Sequence, residues 1–228
     1  MAKSSTGFYS ALAISVLMLG LSAAPIVQAR DLPKTTHDGM DLVPHTKAYA
    51  VYMKPGVDLK TYNRVGIMMP AVAFKKDWQH DYNETAPMGA KVTDDDMERI
   101  KTWLAEEFVK IFNQELTKSG HQVTKETGKD VVILRPMIVN LVVSAPDKTT
   151  AGVSRGAVAS AGEMTLILEL YDSVTSDIIA RIIDPQAARQ YAGFHIATEA
   201  SNKADADLIL QDWAERLAKH LGAEKSGS

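Results

Sequence analysis

Asp77, His80 and Asp81 fall in one short stretch and bring the nitrogen and oxygen donors that a divalent cation takes, with His37 or His45 available from earlier in the chain. Their spacing is not that of paired ligands on a helix, such as His-x-x-x-His, and a stretch with acids and a histidine is more commonly a solvated turn, so no metal is expected. Trp78 and Tyr82 interleave with them. Aromatic rings beside polar neighbours suit stacking on a sugar or anchoring a protein partner, and the competing reading has Trp78 plugging the edge of the core. Asp77, Trp78, His80, Asp81 and Tyr82, joined by Arg155 from a Gly-, Ala- and Ser-rich stretch further on, are the expected binding residues.

Nucleophilic catalysis would draw on Ser154 or Ser160 with His195 or His121 as base, but no Gly-x-Ser-x-Gly elbow is present. Gly152, Gly156 and Gly162 precede a strand pattern rather than a helix, so they do not form a phosphate-cradling loop. No catalytic residue and no cofactor is expected. Asn83-Glu84-Thr85 fits a glycosylation acceptor, a short pattern that by itself carries little meaning. The chain has no cysteine, which removes disulfides, CxxC redox chemistry, thiolate metal sites and lipid attachment through an N-terminal cysteine.

The elements that would position these residues follow from periodicity. Val65 to Phe74 is apolar on both faces and reads as a buried strand in which Pro70 demands a bulge or an edge. Lys75 to Val92 is rich in turn-formers and reads as a loop. Thr93 or Asp94 opens a helix: Asp94, Asp95 and Asp96 suit its positive end, Met97, Ile100, Leu104, Phe108, Ile111, Phe112 and Leu116 form its apolar stripe, and Gly120 stops it. Trp103 and Trp213 sit near helical stripes and read as core. A short strand at 121–126 and a long one at 131–143 follow; the long one is apolar on both faces, as if covered on both sides, with Pro136 marking a bulge or bend. Residues 145–162 read as a flexible connection. Met164, Leu166, Leu168 and Leu170 then alternate with Glu163, Thr165, Glu169 and Tyr171, which predicts a half-buried antiparallel strand hairpinned through 172–177 to Ile178–Ile183. Ser201 or Asn202 caps a last helix with Leu210, Trp213 or Ala214, Leu217 and Leu221 on its apolar side and Gly222 at its end. The order predicts an α+β fold in a single domain, an antiparallel-rich sheet of about five strands with two main helices packed on it.

Ahead of this domain, Lys3, the uncharged apolar run Ala11–Leu21, small residues and Pro25 follow the three-part order of a secretory signal, and Val27-Gln28-Ala29 offers a cleavage site. The expected organisation is therefore a cleavable signal peptide at 1–29, an irregular and mobile leader at 30–48, the domain at 49–222 and a tail at 223–228. An uncleaved anchor is the alternative, disfavoured because Ser22, Pro25 and Gln28 interrupt the run. Removing 1–29 takes Lys3 from 25 basic side chains and leaves the 28 acidic ones, one unit more negative than the −3 of the whole chain. Such a mildly acidic chain lacks the basic footprint of a nucleic-acid binder. After the signal, no stretch spans a membrane free of charge or proline.

Several ordered pieces carry a family likeness: Pro55-Gly56-Val57-Asp58-Leu59 with Tyr62 and Val65, Asp77-Trp78 with Asp81-Tyr82, Ala145-Pro146-Asp147, Ser160-Ala161-Gly162-Glu163, Glu169-Leu170-Tyr171-Asp172-Ser173 with Thr175, and Asn202-Lys203-Ala204-Asp205 before Trp213-Ala214. Over nearly all of the chain after the signal, they resemble the bacterial envelope family known as domain of unknown function 3313, whose members are often lipoproteins. Two departures are the missing lipidation cysteine and Ser176 at a turn position that commonly favours Gly. The resemblance implies an exported protein without an established reaction. The expected function is a non-catalytic periplasmic accessory or binding protein whose partner is an envelope protein or cell-wall component. The alternative is an envelope hydrolase or metal-dependent enzyme built on Asp77, His80 and Asp81, and a third reading is assembly of copies through the flat sheet.

Overall fold

The structure is a computed structural model that describes residues 32–87, 89–143, 162–187 and 199–222, with side chains of the last segment from 203. Eight strands and three α-helices are present among them: β1 (Asp41–Leu42), β2 (Ala50–Met53), β3 (Arg64–Ile67), β4 (Ala71–Phe74), α1 (Trp78–Thr85), α2 (Asp94–Lys118), β5 (Gln122–Val123), β6 (Val131–Val142), β7 (Glu163–Asp172), β8 (Ile178–Ala187) and α3 (Glu199–Ala218). They make one mixed sheet in the order β1-β2-β8-β7-β6-β3-β5, with β4 also on β6. The α+β class holds, but eight strands stand where the sequence predicts about five. The segment 32–53, expected as an irregular leader followed by unassigned chain, supplies two of the extra strands. Two-residue strands such as β1 and β5 leave no periodic signal to read.

Proline explains the third. The stretch expected as a single strand over Val65–Phe74 is split, β3 and β4 both running parallel to β6 with Met68, Met69 and Pro70 between them. Ile67 pairs with Leu134 and Ala71 with Met137, so Arg135 and Pro136 of β6 lie beside the gap. A proline cannot donate to a ladder, and here it sits where the neighbouring strand is interrupted. Pro136 itself keeps register with Leu168; the irregularity falls instead between Val139 and Val142, where Asn140 takes φ 53°.

The expected loop at 75–92 contains α1, eight residues long. α2 begins as its acidic run predicts, Thr93 and Asp96 exchanging capping-box hydrogen bonds, and the backbone N–H of Thr93 holds the Asp96 carboxyl below the usual range. Leu104, Phe108, Ile111, Phe112 and Leu116 of α2, with Leu210, Trp213, Ala214 and Leu217 of α3, bury one face of the sheet against Val132, Leu134 and Ile138 of β6 and Met164, Leu166, Leu168 and Leu170 of β7. Gly222 closes α3 against the chain before β3: its N–H donates to Tyr62 O at 2.9 Å, and a Cβ there would meet Lys60 O at 2.1 Å. β6 is thus covered by helices on one face only, where its sequence suggested both. The turn 172–177 joins β7 to β8 as expected, with Ser176 at φ 60° in the conformation that glycine takes more easily.

Candidate functional site

α1 divides the expected site residues between two environments. Trp78 is 7% exposed and stacks on Phe74, ring centroids 4.6 Å apart, and on Tyr82 at 5.6 Å. One helical turn separates Trp78 from Tyr82, so both rings share the inward side, and burial raises the Tyr82 pKa. Asp77, His80 and Asp81 are exposed, Asp77 with φ 62° just ahead of the helix. His80 Nε2 lies 3.2 Å from Glu84 Oε1, a pair on the outward side. Gln79 and Asn83 tie α1 to the start of α2: Asn83 donates to Val92 O at 2.9 Å and accepts from Val92 N at 2.7 Å, while Gln79 reaches Asp94 at 2.9 Å. The aromatics therefore clamp the helix and the polar trio faces out; the five do not line a common cleft. Arg155, like Ser154, Ser160 and His195, lies outside the described residues, as does the 1–29 stretch.

No three His, Asp or Glu side chains among the described residues form a set able to hold a metal ion. His121 is 3% exposed and bonds through Nε2 to Ala218 O at 3.1 Å, tying the end of α2 to α3. Beside it a cleft of about 450 Å³ is lined by Lys60, Lys118, Lys219, Glu115 and Glu215, in which Lys118 pairs with Glu115 and the Lys60 ammonium donates to the carbonyls of Lys219 and Leu221. Those contacts satisfy the C-terminus of α3 rather than assemble a nucleophile and base.

A second polar constellation lies on the sheet face away from the helices. Arg135, Glu169 and Arg181 are direct partners across β6, β7 and β8, with Tyr52 of β2 next in the row. Glu169 is 8% exposed. Arg181 grips it through Nε at 3.0 Å and Nη2 at 2.9 Å, Tyr171 donates to it at 2.8 Å, and Arg135 stands 3.6 Å away. Arg181 also reaches Asp38 at 2.9 Å, and hydrogen bonds from Thr36 and Arg181 hold that carboxyl down at about 2. Through Asp38 the segment before β1 is fastened over the sheet, where Met40 packs on Ala50 and Tyr52 with Leu32, Leu42, Ile178 and Ile183 around them. Met40 is thus buried and Asp38 is tied to the sheet, while most of 32–42 stays exposed.

Residues quoted for the likeness hold elements together. Asp58 caps the turn Leu59–Thr61, accepting from Lys60 N. The Tyr62 hydroxyl donates to Asp172 at 2.9 Å, and burial with that hydrogen bond pushes its pKa up to about 12. Ser173 Oγ bonds both N–H and C=O of Gly128 at 2.9 Å. The family described as "Protein of unknown function (DUF3313)" matches residues 39–217. The chain belongs to the DUF3313 family. No curated protein matches this DUF3313 chain. Among solved structures it is similar to a PelC dodecamer subunit from Paraburkholderia phytofirmans, at 10% identity over 76% of this chain and 98% of that one, TM-score 0.38. It is also similar to a minor lipoprotein from Acinetobacter baumannii, at 10% identity over 69% and 91%, TM-score 0.31. Likenesses of that size carry no argument about function.

Sequence reading missed Glu169, Arg181, Arg135 and Asp38 as a group. Alternation marked Glu169 as outward, but nothing local indicates that it is met by an arginine from each neighbouring strand.

Proposed function

We propose that this DUF3313 chain is an exported, non-catalytic binding protein of the cell envelope that meets an envelope protein or cell-wall component through the α1 region. The observation that carries the reading is the clamp on α1: the Phe74–Trp78–Tyr82 stack and the Asn83–Val92 hydrogen bonds fix a short helix so that Asp77, His80 and Asp81 are presented outward on a rigid base. A surface held this way costs little ordering on association. Trp78 and Tyr82 contribute by holding the helix. Arg155, on the connection between β6 and β7 in sequence, is proposed as a further contact. Export rests on the Lys3, apolar run and Val27-Gln28-Ala29 order at the N-terminus.

The test is recovery of partners from periplasmic extract with the unaltered chain and with a His80→Ala/Asp81→Ala double variant, both checked for folding by circular dichroism. Loss of a specific partner with the variant supports the α1 surface, and identical recovery removes it. N-terminal sequencing of the cell-derived protein is expected to begin at Arg30; an intact, unprocessed chain in the cytosol overturns the export reading.

A further inference from the structure

The sheet face opposite the helices is occupied on one side of Glu169 and vacant on the other among the described residues. On the occupied side the row neighbouring the charges runs through Ile183 and Ala50, and the chain's own segment covers it with Met40, 0% exposed, while Asp38 pairs with Arg181. On the vacant side the same row continues as Ile167, Met137 and Ala71, cross-strand partners in turn across β7, β6 and β4. Ile167 and Met137, with Ile133, are half-buried and belong to neither apolar cluster. Arg135 flanks Glu169 as Arg181 does, from the opposite strand, yet its side chain is 54% exposed and its contacts are Glu169 at 3.6 Å and the Tyr171 hydroxyl at 3.4 Å. Glu169 spends its short hydrogen bonds on Arg181 and Tyr171 and pairs with Arg135 only at 3.6 Å, and among the described residues Arg135 has no second carboxylate such as Asp38 supplies to Arg181.

We infer that Ile133, Arg135, Met137 and Ile167 form a docking surface for a segment of a partner protein that carries a carboxylate near an apolar anchor, the chemistry with which Asp38 and Met40 cover the other half. The carboxylate takes the guanidinium of Arg135 in a charge-assisted pair and the anchor lies on the Met137–Ile167 row. The surface is separate from α1 and goes beyond the function proposed above.

A synthetic peptide of residues 35–43, which contains Asp38 and Met40, serves as the probe in trans. It is titrated into isotope-labelled protein while methyl signals are followed by NMR. The expected result is saturable shifts at Ile133, Met137 and Ile167. Arg135→Gln and an Asp38→Asn peptide should each weaken binding about tenfold, the cost of one charge-assisted hydrogen bond, with no further loss when combined. Arg135→Lys, which keeps the cation, should recover part of the affinity, and circular dichroism reports whether each variant folds. Shifts centred on Ile178 and Ile183, meaning the probe has displaced the chain's own segment, overturn the proposal, as does the absence of any saturable shift. So does a dimer in sedimentation whose formation perturbs the same methyl groups, since a second copy would then be the occupant. His80→Ala/Asp81→Ala should leave this titration unchanged, which separates its failure from that of the α1 reading.

Discussion

On the helix-covered face of the sheet, Asp184 of β8 is 2% exposed and its two oxygens are met from three directions: Trp213 Nε1 at 2.8 Å and Arg216 at 2.7 Å from α3, Gln186 at 2.9 Å along the strand, and the Tyr49 N–H at 3.0 Å ahead of β2. On the opposite face Glu169 is nearly as buried, but its partners lie on the sheet itself and one of them, Arg181, passes the interaction on to Asp38. The first carboxylate locks a helix to a strand. Burial alone would raise its pKa, and hydrogen bonds from Arg216, Gln186 and Trp213 outweigh that and lower it. The second holds a polar row within reach of solvent, where it can be extended by a covering segment. A buried carboxylate with every donor inside the fold serves stability, while one that shares itself between two arginines leaves Arg135, among the described residues, without a second carboxylate and able to take another.

The sharpest attempt to break this contrast is Asp184→Ala, which strands the Trp213 N–H and leaves Arg216 only its pairing with Asp212 on α3. Losing one partner of a buried ion pair costs about 3–5 kcal/mol, so the urea midpoint should fall far, with α3 melting as a separate, earlier transition if its lock is local. Glu169→Gln keeps shape and removes charge on the other face. A loss of about 1–2 kcal/mol is expected in the same denaturation experiment, and a loss as large as that for Asp184→Ala would erase the distinction between the faces. Asp38→Asn should change global stability least while releasing residues 36–42, seen as faster amide exchange there than in β7.

pH sharpens the last point. The Asp38 carboxyl is lowered from 3.8 to about 2, so its contribution is present in full above about pH 4 and is lost as pH falls toward 2. Amide exchange at Met40 and Leu42 should therefore accelerate in that window in the unaltered chain and show no such step in Asp38→Asn. Trp78→Ala should loosen α1 at a cost of about 2 kcal/mol or less, since its ring sits at the edge of the core, and leave the methyl signals of β6 and β7 in place.

Much of the helix-covered face was legible in advance. The apolar stripes of α2 and α3 and the alternation of β7 predict their own burial, because the residues concerned lie within a few positions of one another and the period is set by local geometry. The cap at Thr93 is local in the same sense, whereas α3 ends at Ala218 and Gly222 is held by Tyr62 from far along the chain. α1 was not legible, because eight residues with Trp78 and Tyr82 on one side and acids on the other satisfy the composition of a turn as well as that of a short helix. Pro70 signalled a bulge or an edge, and the structure instead splits the strand there, with Arg135 and Pro136 of β6 beside the gap.

The sequence by itself determined the α+β class, the inward faces of α2, α3 and β7 and the family to which the chain belongs, since these follow from short-range periodicity and ordered motifs. Only the tertiary structure decided that Arg135, Glu169 and Arg181 share a row, that Asp38 returns to complete one side of it, and that Trp78 turns away from Asp77 and His80. Strand register and the packing of distant segments make those choices, and a shift of one residue in the pairing of β7 would send Glu169 to the other face.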